Sequence, residues 1–347
     1  MRYRFFAKTW ARKLLKFALV KDQMREIRLD PRRKEWIIIS SQRASRPMTV
    51  MEKRSCPFCK DSPEAKGKQA PYWLPNAFPM LSPDEQGTSA LNGTYQRMPG
   101  RGYCEVVVES FDHSADLCDL TPDELESAMK LYRDRYVELS TKEGVNAVLI
   151  FRNMGKLIGV SIEHPHSQIY AIPYVPPIIH EEANASKEVC PICEEVKAEG
   201  RTVLSYDSVK AVFPYAPRWP YETVVIPIRH ITSLAEATDK ELREIGMSIG
   251  RIVGCYHRLF GVKMPYVLAF HQTPVLSSKE RLHLHVELYP ALRAPDKLKH
   301  WSGAELGFGV YTYDFWPEDK AKELASICEK NENLPISSKG LPEPNAV

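Results

Sequence analysis

The sequence predicts an α+β fold in which one structural unit occurs twice in tandem. Two observations lead to this prediction. A Cys-Pro-x-Cys turn is present in each half of the chain, and the same series of elements follows both turns in the same order. The two copies also keep a nearly constant offset, which is 117 residues between His113 and His230 and 119 residues between His164 and His283. One shared motif can arise by chance, whereas an ordered series of shared motifs indicates a duplication.

Each copy contains a strand, a histidine, a capped helix, a second strand and a closing H-x-H segment. In the first copy these elements are a strand at 105–109, His113, a helix beginning after Thr121, a strand at 146–151, and His164 with His166. In the second copy they are a strand at 223–227, His230, a helix beginning after Thr238, a strand at 266–270, and His283 with His285. Both helices should begin with a capping box, because Glu124 and Glu241 each lie three residues after the capping threonine. Apolar residues at helical spacing then follow in both helices.

The size and composition of the chain exclude some classes of function. A length of 347 residues suffices for one large or two ordinary domains. The contents of 44% hydrophobic and 26% charged residues are typical of soluble globular proteins, and a net charge of +3 is too small to indicate nucleic-acid binding. No segment after the first two dozen residues approaches the roughly 20 apolar residues of a membrane span. We therefore predict a soluble, cytoplasmic protein with no membrane span and no nucleic-acid partner.

Residues 1–22 form a basic N-terminal extension that differs from the rest of the chain. Seven lysines and arginines, interleaved with apolar residues, come before the first acidic residue, Asp22. This segment could be an amphipathic helix that lies on a membrane surface or a partner. It could equally be a loosely attached extension, or reflect an upstream start codon. A secretory leader is not expected, because Lys16 interrupts the apolar run.

The two Cys-x-x-Cys turns predict metal sites, because this turn is the commonest half of a tetrahedral zinc site. The repeat supplies the other two ligands of each site, so that the predicted sets are Cys56, Cys59, His113 and His164, and Cys190, Cys193, His230 and His283. With all four protein positions filled, both zinc sites should be structural. Thioredoxin-like redox chemistry and capping or core roles for His113 and His230 remain alternatives. Four further cysteines are expected to be buried thiols: Cys104, Cys118, Cys255 and Cys328.

The H-x-H segment of the first copy predicts the reactive group. On an extended strand, residues two apart point to the same face, so His164, His166 and Gln168 should lie side by side. If His164 binds zinc, His166 is available as a nucleophile on a rigid strand. An isolated H-x-H pair often lies on the protein surface without a function. Here the rest of the chain supplies partner residues, which argue against that interpretation. In the second copy Glu287 replaces the glutamine, and His285 is expected to belong to a degenerate site.

The residues resemble those of the galactose-1-phosphate uridylyltransferase family, within the histidine-triad superfamily, from about residue 26 to residue 331. The similar segments, in order, are the strand at 35–40 followed by Arg43 and Arg46, Cys-Pro-Phe-Cys at 56–59, Pro-Asn-Ala-Phe-Pro at 75–79, Phe-Arg-Asn-x-Gly at 151–155, Gly159-x-Ser161, and His-Pro-His-x-Gln at 164–168. The resemblance implies two histidine-triad-like repeats, with an antiparallel sheet of half-barrels flanked by helices. The first repeat, residues 23–180, would carry the active site, and the second, residues 181–347, would carry a C-terminal sugar-binding segment.

The resemblance also implies a double displacement between UDP-glucose and galactose 1-phosphate. His166 would attack the α-phosphorus and hold uridylate as a phosphoramidate, and Gln168 would donate a hydrogen bond to the phosphoryl oxygens. The substrate-binding residues carried over from the family are Arg43, Arg46, Phe58, Asn76, Phe78, Asn153, Ser161, Lys299 and Glu305. Lys299 and Glu305 belong to a segment that in the family reaches the active site of the other subunit. A homodimer is therefore expected.

This sequence departs from the family pattern in three regions. Ala77 stands where some members have an acid near the ribose. The residues that differ from the sugar-binding pattern are His300, Trp301, Ser302 and Ala304. Some members build the second metal site from a glutamate and three histidines, which correspond here to Glu182, His271, His283 and His285. Because Cys190 and Cys193 are present, we favour the Cys₂His₂ site and expect no metal role for Glu182 or His271.

Two other functions compete with this prediction. A nucleotide-sugar phosphorylase, such as one that splits ADP-glucose with inorganic phosphate, would use the same histidine and the same zinc sites. A zinc-ribbon module that binds nucleic acid is the more distant alternative. Neither Cys-x-x-Cys turn lies in a stripe of basic and aromatic residues, and such a module has no need of the H-x-H-x-Gln face.

Overall fold

The computed structural model describes residues 25–41, 56–275, 282–330 and 337–345. The strands in these ranges are β1 Arg25–Leu29, β2 Trp36–Ser40, β3 Tyr72–Pro75, β4 Arg97–Pro99, β5 Tyr103–Val108, β6 Ala147–Met154, β7 His166–Ile172, β8 Thr202–Ser205, β9 Val209–Val212, β10 Thr223–Pro227, β11 Tyr266–His271, β12 His285–Pro290, β13 Leu292–Ala294 and β14 Lys297–Leu298. The α-helices are α1 Pro122–Ser140, α2 Pro177–Ala185, α3 Pro191–Val196, α4 Asp239–Phe260, α5 Gly303–Phe308 and α6 Pro317–Glu329. The predicted basic N-terminal extension, residues 1–22, lies outside the described ranges.

A nine-stranded sheet in the order β3-β5-β7-β6-β11-β12-β10-β9-β8 forms the centre of the fold. All of its strand pairs are antiparallel. The two repeats meet at the β6–β11 pair, where Met154 lies opposite Tyr266 and Ile150 lies opposite Phe270. On either side of this pair the order is the same, because β5-β7-β6 in the first repeat corresponds to β10-β12-β11 in the second. The sheet is therefore continuous across the duplication.

Helices α1 and α4 pack against each other and cover one face of this sheet. Both begin with the capping box that the sequence predicts: Thr121 accepts from the Glu124 amide, and Thr238 accepts from the Glu241 amide. Gly246 in α4 allows the close approach of α1, because a Cβ at this position would lie 3.1 Å from the Cβ of Leu125. The main apolar core lies between these helices and the sheet. In the first repeat, the opposite face of the sheet carries a cavity.

The structure confirms the α+β class with an antiparallel sheet flanked by helices, and it places the predicted strands with small shifts at their ends. The predicted strand at 223–227 is β10 without change, whereas β6 extends to Met154 and β5 begins at Tyr103. The two H-x-H segments enter their strands at the second histidine, so that His164 precedes β7. Within the described residues, no helix is both long enough and apolar enough to span a membrane.

The prediction of four buried thiols is wrong for two of the cysteines. Cys255 in α4 and Cys328 in α6 form a disulfide, with their Cα atoms 5.5 Å apart. Packing of α6 against α4 brings these residues together across 73 positions of sequence, a proximity that residue spacing does not reveal. Cys104 is a buried thiol, as predicted, whereas Cys118 is a thiol that is only partly buried.

Candidate active site and metal centres

Four predicted ligands of the first metal site converge beside the start of β7. The ligand atoms of Cys56, Cys59, His113 and His164 all lie within 4.8 Å of one another. The sulfur of Cys59 is 3.5 Å from Nδ1 of His113 and 3.6 Å from Nδ1 of His164. A tetrahedral zinc ion, with bonds of about 2.3 Å to sulfur and about 2.0 Å to nitrogen, holds these atoms roughly 3.6 Å apart. The donor set and its spacing therefore fit zinc.

The hydrogen bond of Nε2 determines which ring nitrogen of His164 carries the proton. Nε2 lies 2.6 Å from the carbonyl oxygen of Ser110, and because a carbonyl only accepts, Nε2 must carry the proton. Nδ1 then presents its lone pair to the metal site. Burial lowers the pKa of His164 to about 4, assisted by the neighbouring His113 and His166 although the Ser110 carbonyl opposes the shift. A neutral imidazole is the form that binds a metal ion.

The second metal group repeats this arrangement with Cys190, Cys193, His230 and His283. The sulfur of Cys193 lies 3.3 Å from Nδ1 of His230 and 3.3 Å from Nδ1 of His283. Nε2 of His283 donates to the Pro227 carbonyl at 2.9 Å, and burial, with the nearby His230, lowers the pKa of His283 to about 4. The structure thus brings together both predicted sets of ligands, and either set can hold a metal ion.

His166, the first residue of β7, points into a cavity on the face of the sheet opposite the helices. Its Nδ1 lies 2.7 Å from the carbonyl oxygen of His164, so Nδ1 donates and Nε2 carries the lone pair. The ring of Phe58 is 5.2 Å from the imidazole. The same backbone that supplies a metal ligand therefore sets the tautomer of the residue predicted to be the nucleophile.

The cavity has a volume of about 210 Å³ and is lined mainly by apolar groups. Six of the predicted site residues line it: Phe58, Asn76, Phe78, Ser161, His166 and Gln168. Asn76 accepts a hydrogen bond from the Phe78 amide at 2.9 Å, which stabilises the turn that carries both residues. Glu64 also lines the cavity, and no sequence signal singled it out, because it lies in a polar loop outside the recognised motifs.

The remaining predicted site residues have different positions. Asn153 is half-buried in β6, on the strand next to β7, and is not among the residues that line the cavity. Lys299 and Glu305 form an ion pair at 3.1 Å, away from the cavity lining of their own chain. Glu305 also caps α5 through Ser302. Arg43 and Arg46 lie outside the described residues.

A second cluster of histidines and carboxylates lies in the second repeat. Possible ligand atoms of Glu182, His271, His285 and Glu287 lie within 4.8 Å of one another, and His271 faces His285 across the β11–β12 pair. The sequence predicts no metal role for Glu182 or His271, although these two residues and His285 belong to the alternative ligand set of some family members. The structure brings these three residues together, with Glu287 in place of His283. His283, by contrast, lies with the cysteines of the second metal group.

Ion pairs between His271 and two carboxylates hold this cluster together. Nδ1 of His271 lies 2.8 Å from Glu182 and its Nε2 lies 3.3 Å from Glu287, so an imidazolium would satisfy both carboxylates. Burial opposes the charge, but the carboxylates of Glu287 and Glu182 prevail and raise the pKa of His271 to about 9. The pKa of Glu287 falls to about 2, against its burial, because of His271.

Comparisons with known proteins agree on one family. The model of the N-terminal domain of galactose-1-phosphate uridyl transferase matches residues 16–176, and that of the C-terminal domain matches residues 166–330. The chain is 32% identical to a galactose-1-phosphate uridylyltransferase of Thermotoga maritima over 312 residues, which cover 87% of this chain and 98% of the relative. It is 26% identical to an ADP-glucose phosphorylase of Arabidopsis thaliana, with 89% of this chain and 94% of the relative covered.

Solved structures give the same result. A uridylyltransferase structure superposes with a TM-score of 0.81 at 33% identity and covers 89% of this chain and 100% of its own. The structure of an ADP-glucose phosphorylase from Arabidopsis thaliana with bound ADP-glucose superposes with a TM-score of 0.68 at 25% identity, covering 87% of this chain and 98% of its own.

Proposed function

The chain belongs to the galactose-1-phosphate uridylyltransferase family, and on this premise we propose that it moves uridylate from UDP-glucose to galactose 1-phosphate through a covalent intermediate on His166. The observation that carries the proposal is the orientation of His166. Its Nδ1–H is held by the His164 carbonyl, and its side chain lines a cavity together with Gln168 and Ser161. A neutral imidazole nitrogen in this state is a competent nucleophile near pH 7.

The first displacement forms one bond and breaks one bond. Nε2 of His166 donates its lone pair to the α-phosphorus of UDP-glucose, and the bond from that phosphorus to the oxygen of glucose 1-phosphate breaks. The electron pair leaves with glucose 1-phosphate, whose last pKa of about 6 makes a strong general acid unnecessary. The ring becomes cationic, and its Nδ1–H bond to the His164 carbonyl stabilises this charge.

The second displacement reverses the first with a different sugar phosphate. A phosphate oxygen of galactose 1-phosphate attacks the phosphorus, the bond to Nε2 breaks, and the electron pair returns to the imidazole. UDP-galactose leaves, and His166 is again a neutral nucleophile. One nitrogen therefore serves both steps, and the two sugar phosphates can use the same subsite in turn.

Hydrogen-bond donors beside His166 would stabilise the charge that develops on the phosphoryl oxygens. We assign this role to Gln168, which follows His166 on the same face of β7, with help from Ser161, which lines the same cavity. Asn153, on the neighbouring strand β6, is assigned a supporting role. Removing one such preorganised donor typically lowers kcat by about 10²-fold to 10³-fold. Arg43 and Arg46 are assigned to the phosphates, because the guanidinium fork matches phosphate oxygens.

The apolar part of the cavity is assigned to the nucleotide. Phe58 and Phe78 offer aromatic faces to the uracil ring, and Asn76 lines the same cavity. The side chain of Phe58 also contacts His166, so the base and the α-phosphorus would be held relative to the same strand. Binding energy from the base would thereby orient the phosphorus for attack.

Two structural zinc ions per chain are part of this proposal. Cys56, Cys59, His113 and His164 would hold one, and Cys190, Cys193, His230 and His283 the other. When bound, each zinc ion would supply folding energy and hold a turn and two strands together. At the first site this fixes His164, whose carbonyl orients the ring of His166.

A homodimer completes the proposal, with the first repeat assigned to residues 23–180 and the second to 181–347. Lys299 and Glu305 would reach the sugar phosphate of the partner subunit. The segment around them carries exposed aromatic side chains, among which Phe308 is 86% and Trp316 is 76% exposed. Exposed apolar groups of this size favour a protein–protein contact.

ADP-glucose phosphorylase activity is the second candidate. A relative of that name aligns over 94% of its own length, and its structure superposes with a TM-score of 0.68. Such an enzyme could use the same histidine and accept inorganic phosphate in the second step.

A paired assay of the purified chain distinguishes the two candidates. One reaction contains UDP-glucose and galactose 1-phosphate, and the other contains ADP-glucose and inorganic phosphate. The proposal predicts UDP-galactose formation with a kcat/KM far above the rate of ADP-glucose phosphorolysis. The reverse order of rates would contradict the proposal and favour the phosphorylase.

A further inference from the structure

A buried charged network lies behind the sheet, on the face opposite the cavity. Side chains alternate along a strand, so that His166 and Gln168 point to the cavity while Ser167 points to the helices. The network consists of seven side chains, none more than 2% exposed: Glu109, Asp116, Tyr132, Arg152, Ser167, His257 and Tyr266. None of them touches the cavity, and the proposed reaction does not use them directly.

Glu109 and Tyr132 both contact Ser167, the network member on the strand that carries His166. One carboxylate oxygen of Glu109 accepts from the Ser167 hydroxyl at 2.6 Å and from the Tyr132 hydroxyl at 2.6 Å. Its other oxygen accepts from the guanidinium of Arg152 at 3.0 Å. Glu109 thus ties β7 to α1 and β6 at the residue that follows His166.

Arg152 extends the network into the second repeat. Its guanidinium donates to Asp116 at 2.9 Å, and Asp116 also accepts from the Tyr266 hydroxyl at 2.7 Å. The Met264 amide donates to Nδ1 of His257, so the imidazole keeps its proton on Nε2 and donates it to Asp116 at 3.1 Å. Side chains from α4 and β11 are therefore connected to the strand that carries His166.

The second repeat shows that this fold does not require charges at these positions. Gln168 pairs with Phe151, and Glu287 pairs with Ala269, so that Ser167 corresponds to Val286 and Arg152 corresponds to Phe270. Counted from the capping threonines, Tyr132 corresponds to Ile249. These residues of the second repeat are buried and apolar. Replacing a buried ionic group with packed apolar residues is often neutral or stabilising, so stability alone does not explain the network.

We propose that this network positions His166 for attack, with Glu109, Ser167 and Tyr132 as positioning residues; the inference rests on the proposed function. Glu109 acts at two points. Through Ser167 it holds the backbone directly after His166. It also directly precedes Ser110, whose carbonyl accepts from His164, and the His164 carbonyl in turn holds Nδ1 of His166. Small displacements of a nucleophile are costly, since an error of about 1 Å can lower a rate about 10²-fold.

A matched pair of substitutions tests the role of the hydroxyl at position 167. Ser167→Thr keeps the hydroxyl, whereas Ser167→Val has the same shape without it and copies the residue at position 286. We expect Ser167→Val to lower kcat about tenfold relative to Ser167→Thr, with KM for UDP-glucose changed less than about twofold, because positioning acts on the transition state more than on binding.

A second pair keeps the inference testable if the variants at position 167 fail to fold. Tyr132→Phe removes a buried hydroxyl from the network, and Tyr256→Phe removes an equally buried hydroxyl outside it, which donates to the Tyr221 carbonyl at 2.8 Å. Both variants should lose thermal stability. Only Tyr132→Phe should also lower kcat, again with little change in KM.

The outcomes separate this inference from the proposed function. If the wild-type chain transfers uridylate but Ser167→Val equals Ser167→Thr in kcat, the inference is overturned and the function stands. Equal losses of kcat in Tyr132→Phe and Tyr256→Phe would overturn it in the same way. A wild-type chain without transfer activity would overturn the proposed function and this inference together.

Discussion

The two repeats of this chain share a scaffold and differ in what surrounds their second histidine. Nδ1 of His166 donates to the carbonyl two residues earlier at 2.7 Å, and Nδ1 of His285 makes the same contact at 2.9 Å. The backbone and the tautomer are therefore duplicated. His166 lines a cavity, whereas His285 is fully buried beside the carboxylate of Glu287. The strand therefore sets the orientation of the histidine in both repeats, whereas the side chains around the histidine determine whether it is accessible from a cavity.

The side chains of the two repeats differ on both faces of the sheet. On the face of the sheet that carries the cavity, the first repeat has the neutral amides of Gln168 and Asn153, and the second has the ion-paired Glu287 and His271. On the helix side the polarity is reversed at three positions, where Ser167, Arg152 and Tyr132 of the first repeat correspond to the apolar Val286, Phe270 and Ile249 of the second. The two repeats thus carry different side chains on both faces of a common backbone.

The largest expected effect comes from removing the two corresponding histidines. His166→Ala should lower kcat by at least about 10⁴-fold, because it deletes the proposed nucleophile. His285→Ala should leave kcat unchanged and lower the thermal midpoint, because it leaves a cavity in a buried cluster. Steady-state kinetics and thermal unfolding of both variants check this. Uridylyl transfer at the wild-type rate by His166→Ala would contradict the proposed difference between the two histidines.

Making the first repeat resemble the second should have the next largest effect. Gln168→Glu introduces the residue found at position 287 and places a carboxylate where the phosphoryl oxygens are proposed to bind. We expect kcat to fall about 10³-fold, because a donor is lost and a like charge is added. Gln168→Ala, which removes the donor without adding charge, should lose less. Equal kcat for Gln168→Glu and wild type would show that position 168 does not face the phosphates.

Removing one cysteine from each metal group tests their equivalence. Cys56→Ser and Cys190→Ser should each retain one zinc ion per chain and lose several kcal/mol of unfolding free energy, since metal binding is coupled to folding. Only Cys56→Ser should also lower kcat, because His164 of that group holds the ring of His166. Metal analysis and kinetics check both variants. Two ions still bound to Cys190→Ser would refute the assignment of the second site and indicate that the cluster around His271 holds a metal ion.

The smallest expected effect concerns pH. The folded-state pKa of His271 is raised from 6.5 to about 9, so its contribution to stability is complete below pH 6.5 and is lost as the pH rises through about 9. His271→Asn, which copies Asn153, removes a contribution on the order of 3 kcal/mol below pH 6.5. The difference in unfolding free energy between wild type and variant should therefore shrink from pH 6 to pH 9.5. His180→Asn, at an exposed histidine, serves as the control. A difference that is constant with pH would show that His271 is neutral in the folded state.

Much of the fold could be predicted from sequence because duplication makes local signals visible twice. The capping boxes at Thr121 and Thr238, the strand at 223–227 and both Cys₂His₂ groups follow from short motifs at matched offsets. The joining of the repeats through β6 and β11 could not be predicted in this way. Strand pairing between copies depends on tertiary packing, which residue spacing does not record. The same reason applies to the Cys255–Cys328 disulfide.

Within the candidate site, the sequence predicted the residues that carry motifs and missed those that act through contacts. Phe58, Asn76, His166 and Gln168 meet at one cavity as expected. The carboxylates of Glu109 and Asp116 lie in segments whose patterns give no sign of a shared arginine. Arg152 sits in a strand where an apolar residue would be expected. Such networks depend on three-dimensional proximity across as many as 150 residues, as between Asp116 and Tyr266.

The most direct test of the account is the intact mass of the wild-type chain after incubation with UDP-glucose alone, followed by peptide mapping. The account predicts one added uridylyl group per chain, located on His166, released when galactose 1-phosphate is added, and absent from His166→Ala. An adduct on His285, or transfer that proceeds with no adduct on His166, would contradict the claim that only one of the two duplicated histidines performs the chemistry.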